Sequence, residues 1–204
     1  MTESDALFPL LRASGALRFG SFTLKSGASS PFFVNLGDVA GGGDLCALGA
    51  LLARGLRRAF PATTLLFGPA YKGIVLASAT AQAAARELGW DLPFCYDRKE
   101  RKAHGEGGEL IGRLPRPGDA VVVVDDVYSS GGTKLEAARM LREGFGVDPI
   151  GVLVVLDRRP RGVPLDPGLP PLAALADLPG LCAWLEARDP PLAAPLRRFW
   201  EGGP

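Results

Sequence analysis

VVVVDDVYSSGGT, residues 121–133, is the stretch of this 204-residue chain that decides its fold class. Four consecutive valines predict a strand that is buried on both faces, as the strands of parallel sheets are. Two carboxylates and a Ser/Gly turn follow, and residues 134–143 then have the composition of a helix. A strand, a tight turn and a helix in this order predict one β-α unit of a parallel sheet.

The turn of this unit is suited to a phosphorylated ribose. The hydroxyls of Ser129, Ser130 and Thr133, the turn amides and the positive end of the helix can all face one phosphate group. Asp125 and Asp126 lie at the carboxyl end of the strand, where open α/β sheets bind ligands, and can accept hydrogen bonds from ribose hydroxyls. The plain alternative is a capped helix with two solvated aspartates. Neither a Walker loop nor G-x-G-x-x-G is present, which disfavours nucleoside triphosphates and dinucleotides.

Apolar runs on both sides of this unit extend the alternating pattern. Residues 63–67, 92–96 and 150–156 predict further strands, and residues 74–88 predict a helix. We therefore expect about four parallel strands with helices on both faces, an α/β fold.

The ends of the chain have a different pattern. Residues 19–33 mix aromatic, Gly and Ser residues in short runs, which predicts small antiparallel strands in a separate flap. Asp44 is the expected N-cap of a helix through Arg58, because its carboxylate can accept from amides of the first turn. Residues 177–188 predict a short amphipathic helix within a proline-rich tail.

Composition limits the class of protein. With 47% hydrophobic and 22% charged residues and a net charge of +1, the chain is expected to be globular and not a nucleic-acid binder. Three widely spaced cysteines favour a reducing cytoplasm. The first 14 residues lack a signal-peptide pattern, and the sequence has no stretch of 18 apolar residues. We expect no export and no membrane span.

A basic loop, RKERKAHGEGG, occupies residues 98–108. It crowds five potential cations ahead of three glycines: Arg98, Lys99, Arg101, Lys102 and His104. A polyanion would neutralise the cluster, and the glycines would let the loop close over a ligand. The plain alternative is a solvated basic loop. Because His104 is the only histidine, a histidine-based metal cluster is excluded.

A second glycine-containing turn, FGPAYKG, occupies residues 67–73 and follows a predicted strand. Its tight Gly-Pro framework can direct backbone amides and the Lys72 ammonium at a diphosphate. The alternative is an ordinary strand-to-helix turn with a surface lysine.

Taken together, these segments resemble those of a known family. Residues 121–133 are similar to the phosphoribosyl pyrophosphate motif of the type I phosphoribosyltransferases. FGSFTLKSGASSPFF (residues 19–33), FGPAYKG and RKERKAHGEGG occur in the order found in orotate phosphoribosyltransferases. The resemblance implies a type I phosphoribosyltransferase fold and transfer of the 5-phosphoribosyl group from phosphoribosyl pyrophosphate to orotate, through an oxocarbenium-like transition state. It also implies that the Ala70–Tyr71 peptide is cis.

The resemblance assigns roles residue by residue. Catalysis is assigned to Lys102, His104 and Asp126, and Lys102 is the main candidate for transition-state stabilisation. The expected contacts to phosphoribosyl pyrophosphate are Lys25, Tyr71, Lys72, Arg98, Lys99, Lys102, His104, Asp125, Asp126, Val127, Tyr128, Ser129, Ser130, Gly131, Gly132 and Thr133.

Orotate is flat and carries a carboxylate, so its pocket should provide an apolar wall and a planar cation. Arg158 follows the apolar strand at residues 150–156 and should reach the same sheet edge as Asp125, with Arg159 as its nearest competitor. The plain alternative for Arg158 is an ordinary surface residue, and for Phe33 it is a residue of the flap core. The expected orotate contacts are Lys25, Phe33, Val34, Ser129 and Arg158.

The resemblance also implies a cofactor and an assembly. Mg²⁺ should be held mainly by phosphoribosyl pyrophosphate and water, with no direct protein ligand. A homodimer should share its active sites, because the basic loop of one subunit reaches the other. The chain should be one domain, residues 1–204, in which residues 1–40 and the C-terminal segment form a hood over a core at residues 41–160.

Three positions depart from the family pattern. Val34 replaces a second aromatic residue, Ser129 replaces a threonine, and Ala103 replaces an acidic residue. None of these changes removes a phosphate donor or a cation. Two other functions remain open at this point, a purine phosphoribosyltransferase and a noncatalytic regulator that senses phosphoribosyl pyrophosphate.

Overall fold

A computed structural model describes residues 3–23, 27, 29–98, 110–129 and 131–202. Its strands are β1 (Leu17–Thr23), β2 (Ser29–Val34), β3 (Leu65–Gly68), β4 (Phe94–Asp97), β5 (Leu110–Gly112), β6 (Val121–Tyr128), β7 (Gly151–Asp157) and β8 (Leu172–Asp177). Its α-helices are α1 (Glu3–Ala13), α2 (Gly42–Ala59), α3 (Lys72–Leu88), α4 (Gly132–Phe145), α5 (Leu178–Glu186) and α6 (Pro190–Trp200), and a 3-10 turn spans Leu36–Asp38.

A six-stranded sheet forms the centre of the molecule, in the order β5-β4-β3-β6-β7-β8. Every neighbouring pair from β4 to β8 is parallel, and only the edge strand β5 runs antiparallel. The predicted α/β class is therefore confirmed. Among the described residues the sheet has five parallel strands and not the expected four, because the sequence did not predict β8.

The four valines of β6 show why this strand is central. Val122 and Val124 belong to the large core cluster, which also contains the buried faces of α1, α2, α3 and α5. Val121 and Val123 belong to the cluster on the other side, with residues of α4. Both faces of the strand are thus covered, as the uninterrupted apolar run predicted.

The predicted cap of α2 is wrong. The helix begins at Gly42, its N-cap is Gly41, and the cap makes no side-chain hydrogen bond. Three successive glycines let the chain enter the helix before the acidic residue, so Asp44 lies inside the first turn. There its charge faces the positive end of the helix dipole and does not cap an amide.

An antiparallel hairpin of β1 and β2 confirms the small strands predicted at residues 19–33. Along β2, Ser30, Phe32 and Val34 are buried while Phe33 is half-buried, because alternate side chains face opposite sides. Phe32 meets the ring of Phe199 in α6 edge-on, with ring centroids 5.7 Å apart. The hairpin therefore rests on the last helix.

The helix predicted at residues 177–188 is confirmed as α5. Its N-cap, Asp177, accepts a hydrogen bond from the amide of Gly180 at 2.8 Å.

Over the described ranges, no helix has the length and apolar character needed to cross a bilayer.

Candidate active site

The carboxyl ends of β3, β4, β6 and β7 bring the predicted segments to one edge of the sheet. Lys72 Nζ lies 2.8 Å from Asp126 Oδ2, which joins the FGPAYKG turn to the acidic pair. The amide of Arg158 donates to the carbonyl of Tyr128 at 3.0 Å, which joins the end of β7 to the phosphate turn. Segments that are far apart in sequence thus form one candidate site, at the edge where parallel sheets bind ligands.

The FGPAYKG turn depends on two glycines that touch. A Cβ on Gly68 would lie 2.2 Å from the carbonyl oxygen of Gly73. A Cβ on Gly73 would lie 2.9 Å from the carbonyl oxygen of Val124 in β6. The Ala70–Tyr71 peptide is cis, as the resemblance implied. The amide of Ala70 donates to Asp97 Oδ1 at 2.5 Å, so the turn is also tied to the end of β4.

The acidic pair of β6 is held by two lysines in an alternating chain of charge. Lys72 pairs with Asp126, and Lys134 Nζ lies 2.5 Å from Asp125 Oδ2. Lys134 Nζ is also 3.8 Å from Asp126 Oδ1. Two positive and two negative groups therefore alternate across the floor of the site.

The two aspartates differ in their environment. The Asp125 side chain is 8% exposed and that of Asp126 is 19% exposed. Burial raises the pKa of Asp125 above its ordinary value, an effect that the charge of Lys134 opposes and the charge of Asp126 reinforces. Asp125 is thus a carboxylate whose ionised form depends on its neighbours.

The phosphate turn has the geometry that its glycines predicted. Gly131 has φ +78° and is the N-cap of α4, and a Cβ there would lie 2.9 Å from the hydroxyl of Tyr128. Ser129, Gly132 and Thr133 are exposed at the start of the helix. The Tyr128 side chain is only 1% exposed, so this residue offers the site its backbone and not its ring.

Arg158 is a half-buried guanidinium at the other end of the site. Its Nη2 donates to Ser30 Oγ at 3.3 Å, and its Cζ lies 4.9 Å from the centre of the Phe32 ring. In the part of the chain that the structure describes, Arg158 has no ion-pair partner. Burial lowers its pKa, so a carboxylate ligand would be a favourable addition.

Arg159, the competitor, is already engaged. Its guanidinium pairs with the Asp157 carboxylate, with Nη2 to Oδ2 at 2.7 Å, and its Nη1 donates to the carbonyl of Val163 at 2.8 Å. It also lies over the ring of Tyr128. These contacts leave Arg158 as the arginine with free donors.

The two predicted flap contacts lie in different places. Val34 is 8% exposed and belongs to the core. Phe33 packs on Phe22, with centroids 5.5 Å apart, and lies under Arg18. Because Phe32 and not Phe33 lies beneath Arg158, the structure does not bring Phe33 and Arg158 together.

Five predicted site residues lie outside the described residues: Lys25, Lys99, Lys102, His104 and Ser130. Arg98 is described and is exposed after β4. Sequence reasoning missed Lys134, Ser30 and Asp97, whose partners are distant in sequence or across the turn. A lysine at the start of a helix, where the dipole disfavours a cation, was the one available signal for Lys134.

The acidic pair at this edge already has lysine counterions. Within the described ranges, no three His, Cys, Asp or Glu side chains are grouped closely enough to hold an ion. The nearby carboxylates, Asp125 and Asp126, each pair with a lysine. These donors fit an ion that takes most of its ligands from a substrate and water.

Comparisons with known proteins agree with this geometry. The model of the phosphoribosyl transferase domain matches residues 47–167, more than half of the chain. The orotate phosphoribosyltransferase of Thioalkalivibrio sulfidiphilus is 49% identical over 148 residues, 72% of this chain and 68% of the relative. That of Laribacter hongkongensis is 44% identical over 191 residues, 89% of this chain and 87% of the relative.

A solved structure extends the likeness to almost the whole chain. The crystal structure of orotate phosphoribosyltransferase from Francisella tularensis matches with a TM-score of 0.80 at 26% identity, over 97% of this chain and 98% of that one. With the sheet-edge site, the domain match and the long alignments to these relatives, this chain belongs to the orotate phosphoribosyltransferase family.

Proposed function

We propose that the chain transfers the 5-phosphoribosyl group of phosphoribosyl pyrophosphate to orotate, which gives orotidine 5'-monophosphate and pyrophosphate in pyrimidine biosynthesis. One observation carries this proposal beyond family membership. A phosphate turn, an acidic pair and a guanidinium without a carboxylate partner among the described residues converge on one sheet edge. These groups suit a sugar phosphate at one end and a carboxylated base at the other.

The phosphate turn binds the 5-phosphate in this proposal. The amides of Gly132 and Thr133 belong to the first turn of α4, whose amides have no partner within the helix, and the hydroxyls of Ser129, Ser130 and Thr133 add donors. Asp125 and Asp126 accept from the ribose hydroxyls. Val127, Tyr128 and Gly131 contribute backbone, which for Tyr128 agrees with its buried ring.

The diphosphate lies toward the FGPAYKG turn and the basic loop. Its proposed protein contacts are Tyr71 and Lys72 of that turn, Lys25 of the flap, and Arg98, Lys99, Lys102 and His104 of the loop. The bond from the anomeric carbon to the diphosphate breaks as negative charge grows on the leaving group, so fixed cations stabilise the transition state. Lys102 and His104 act on the leaving group, and the Asp126 carboxylate stabilises the positive charge that develops on the ribose.

Arg158 binds the carboxylate of orotate. Its planar fork can make two parallel hydrogen bonds to a carboxylate, and its contact with the Phe32 ring helps to hold the guanidinium in place. Lys25, Ser129 and the backbone of Phe33 and Val34 complete the pocket. An aromatic side chain at residue 33 reaches the base only if its contacts with Phe22 and Arg18 open.

Mg²⁺ is the proposed cofactor. When bound with phosphoribosyl pyrophosphate, the ion would offset the negative charge of the diphosphate. Asp126 is the protein group best placed to meet its waters, because its side chain is more exposed than that of Asp125.

A homodimer is the proposed assembly, with each basic loop completing the neighbouring site. Exposed apolar surface supports a contact near the site. Val75 is 48% exposed near the start of α3, beside a groove between α2 and α3 that is lined by Leu45, Ala50 and Ile74. We also propose that the β1-β2 hairpin and the C-terminal helices act as one hood, since Phe32 packs on Phe199.

Free Cys46, Cys95 and Cys182 support a reducing, cytoplasmic location.

A panel of bases tests the proposed activity. Purified protein with Mg²⁺ and phosphoribosyl pyrophosphate should release pyrophosphate with orotate, and not with uracil, adenine, guanine or hypoxanthine. A preference for a purine would establish the purine enzyme instead. Binding of phosphoribosyl pyrophosphate without turnover of any base would establish the noncatalytic regulator.

The basic loop provides a matched pair of variants. Lys102→Ala should lower kcat by about a hundredfold or more, because it removes a cation where charge develops, and should leave the KM for orotate nearly unchanged. Arg101→Ala removes a neighbouring cation to which the resemblance assigns no role, so its kcat should stay within about twofold. Equal loss in both variants would show that the loop acts through its total charge and not through Lys102.

A further inference from the structure

Lys134 is a buried cation in a position that does not favour one. It is the third residue of α4 and is 6% exposed. The first turn of a helix carries the positive end of the dipole, which repels an ammonium. Burial also removes the water that would otherwise solvate the ammonium. A lysine that is retained here must therefore have strong partners.

The partners of its ammonium surround the acidic pair. Lys134 Nζ lies 2.5 Å from Asp125 Oδ2 and donates to the carbonyl of Val127 at 2.8 Å. Asp126 Oδ1 lies 3.8 Å away, a longer electrostatic contact that is not a hydrogen bond. The ammonium thus has two close acceptors, the Asp125 carboxylate and the Val127 carbonyl. One side chain from α4 thus fixes the carboxylate before the turn and the backbone at its start.

Lys72 and Lys134 differ in what they can do when a ligand arrives. The Lys72 side chain is 42% exposed, whereas that of Lys134 is 7% exposed. Lys72 can exchange Asp126 for an incoming diphosphate, because it reaches solvent. Lys134 lies under the turn and keeps its partners. The acidic pair therefore has one exchangeable counterion and one permanent counterion.

We propose that Lys134 is a positioning residue for phosphoribosyl pyrophosphate, which holds the Asp125 carboxylate and the Val127 carbonyl in the geometry that receives the ribose and its 5-phosphate. This inference rests on the proposed function. Lys134 acts through Asp125 and touches no substrate itself.

Loss of this ammonium would change the chemistry of Asp125. Burial already raises the pKa of that carboxyl, and Lys134 is the main group that opposes the effect. Without it, Asp125 would be an unpaired buried carboxylate that gains a proton or turns toward solvent. A protonated carboxyl offers a donor where a ribose hydroxyl needs an acceptor.

Calorimetric titration with phosphoribosyl pyrophosphate and Mg²⁺, together with steady-state kinetics, tests the proposal. Lys134→Met should weaken binding of phosphoribosyl pyrophosphate by about tenfold to a hundredfold, the range for a lost hydrogen bond to a charged group. The KM for orotate should change by less than about twofold, because Arg158 is not in the ion-pair chain. Lys134→Gln, which keeps N–H donors, should lose less. Arg139→Met, which removes an exposed cation from the same helix, should bind like the original protein.

A double-variant cycle shows whether Lys134 acts through Asp125. Lys134→Met should weaken binding by a smaller factor in the Asp125→Asn background than in the original protein, because the carboxylate that it positions is gone and only its contact with the Val127 carbonyl is left to lose. If the loss of binding in the double variant equals the product of the losses in the two single variants, the proposal is overturned. Normal binding by Lys134→Met alone would also overturn it. If part of the Lys134→Met protein is unfolded, the number of binding sites per chain in the titration will fall. The Kd will still describe the molecules that are folded, so weak binding and misfolding can be told apart. Failure of the unsubstituted protein to bind would instead overturn the proposed function.

Discussion

At the scale of single residues, substitution of two adjacent arginines should affect different properties, orotate binding for Arg158 and stability for Arg159. Arg158→Lys should raise the KM for orotate by about tenfold to a hundredfold, because a lysine cannot make the paired hydrogen bonds to a carboxylate. Binding of phosphoribosyl pyrophosphate should be nearly unchanged. Arg159→Lys should instead lower the melting temperature, because Arg159 holds Asp157 and covers Tyr128. Kinetics and thermal melting of both variants check this. If Arg159→Lys raised the KM for orotate more than Arg158→Lys did, Arg159 and not Arg158 would be the orotate contact.

The residues that sequence could predict are those whose neighbours along the chain carry the information. Asp125, Asp126 and Arg158 lie within two residues of the end of an apolar run, and strand ends at one sheet edge converge. Ser30 and Lys134 could not be found in this way, because their roles depend on partners from other elements or across a turn. The side of the hairpin that faces Arg158 was equally hidden, since Phe32 and Phe33 differ only in register.

At the scale of elements, the contact of the FGPAYKG turn with β6 predicts a sharp difference between two glycines. Gly73→Ala should destabilise the protein by about 1–3 kcal/mol and lower activity, because its methyl group would press on Pro69 and on the carbonyl of Val124. Gly144→Ala, in the last turn of α4 with open space around it, should stabilise by about 0.5–1 kcal/mol. Denaturant unfolding measures the free energy of unfolding of both variants. If that free energy changed by the same amount and in the same direction in both, the close backbone contact at Gly73 would not be what fixes this turn.

Element prediction succeeded where apolar runs were long and failed where local signals were weak. The runs that became β3, β4, β6 and β7 are rich in branched or aromatic residues. β8 is half alanine and follows a proline-rich loop, and β5 has three residues, so neither has a clear strand pattern. α6 begins with two prolines and contains a third, which suits a helix start but reads as a loop in isolation.

At the scale of the whole molecule, the question is whether one subunit completes the site of another. The described core supplies Asp126 and the phosphate turn, whereas Lys102 belongs to the basic loop that is proposed to act across the dimer. Two inactive variants, Lys102→Ala and Asp126→Asn, should therefore complement each other when their subunits are mixed. In a mixed dimer one site has both native groups, and the other has neither.

Random exchange makes half of the dimers mixed, each with one intact site of two, so the mixture should recover about a quarter of the original activity. A mixture of Lys102→Ala with Arg98→Ala should recover nothing, because both lesions lie on the donated segment and every site receives one of them. Subunits with two affinity tags allow the mixed dimers to be isolated and assayed directly. Activity in the mixture that never exceeds that of the separate variants would mean that each loop serves its own subunit, and the shared site would be abandoned while the proposed reaction stands.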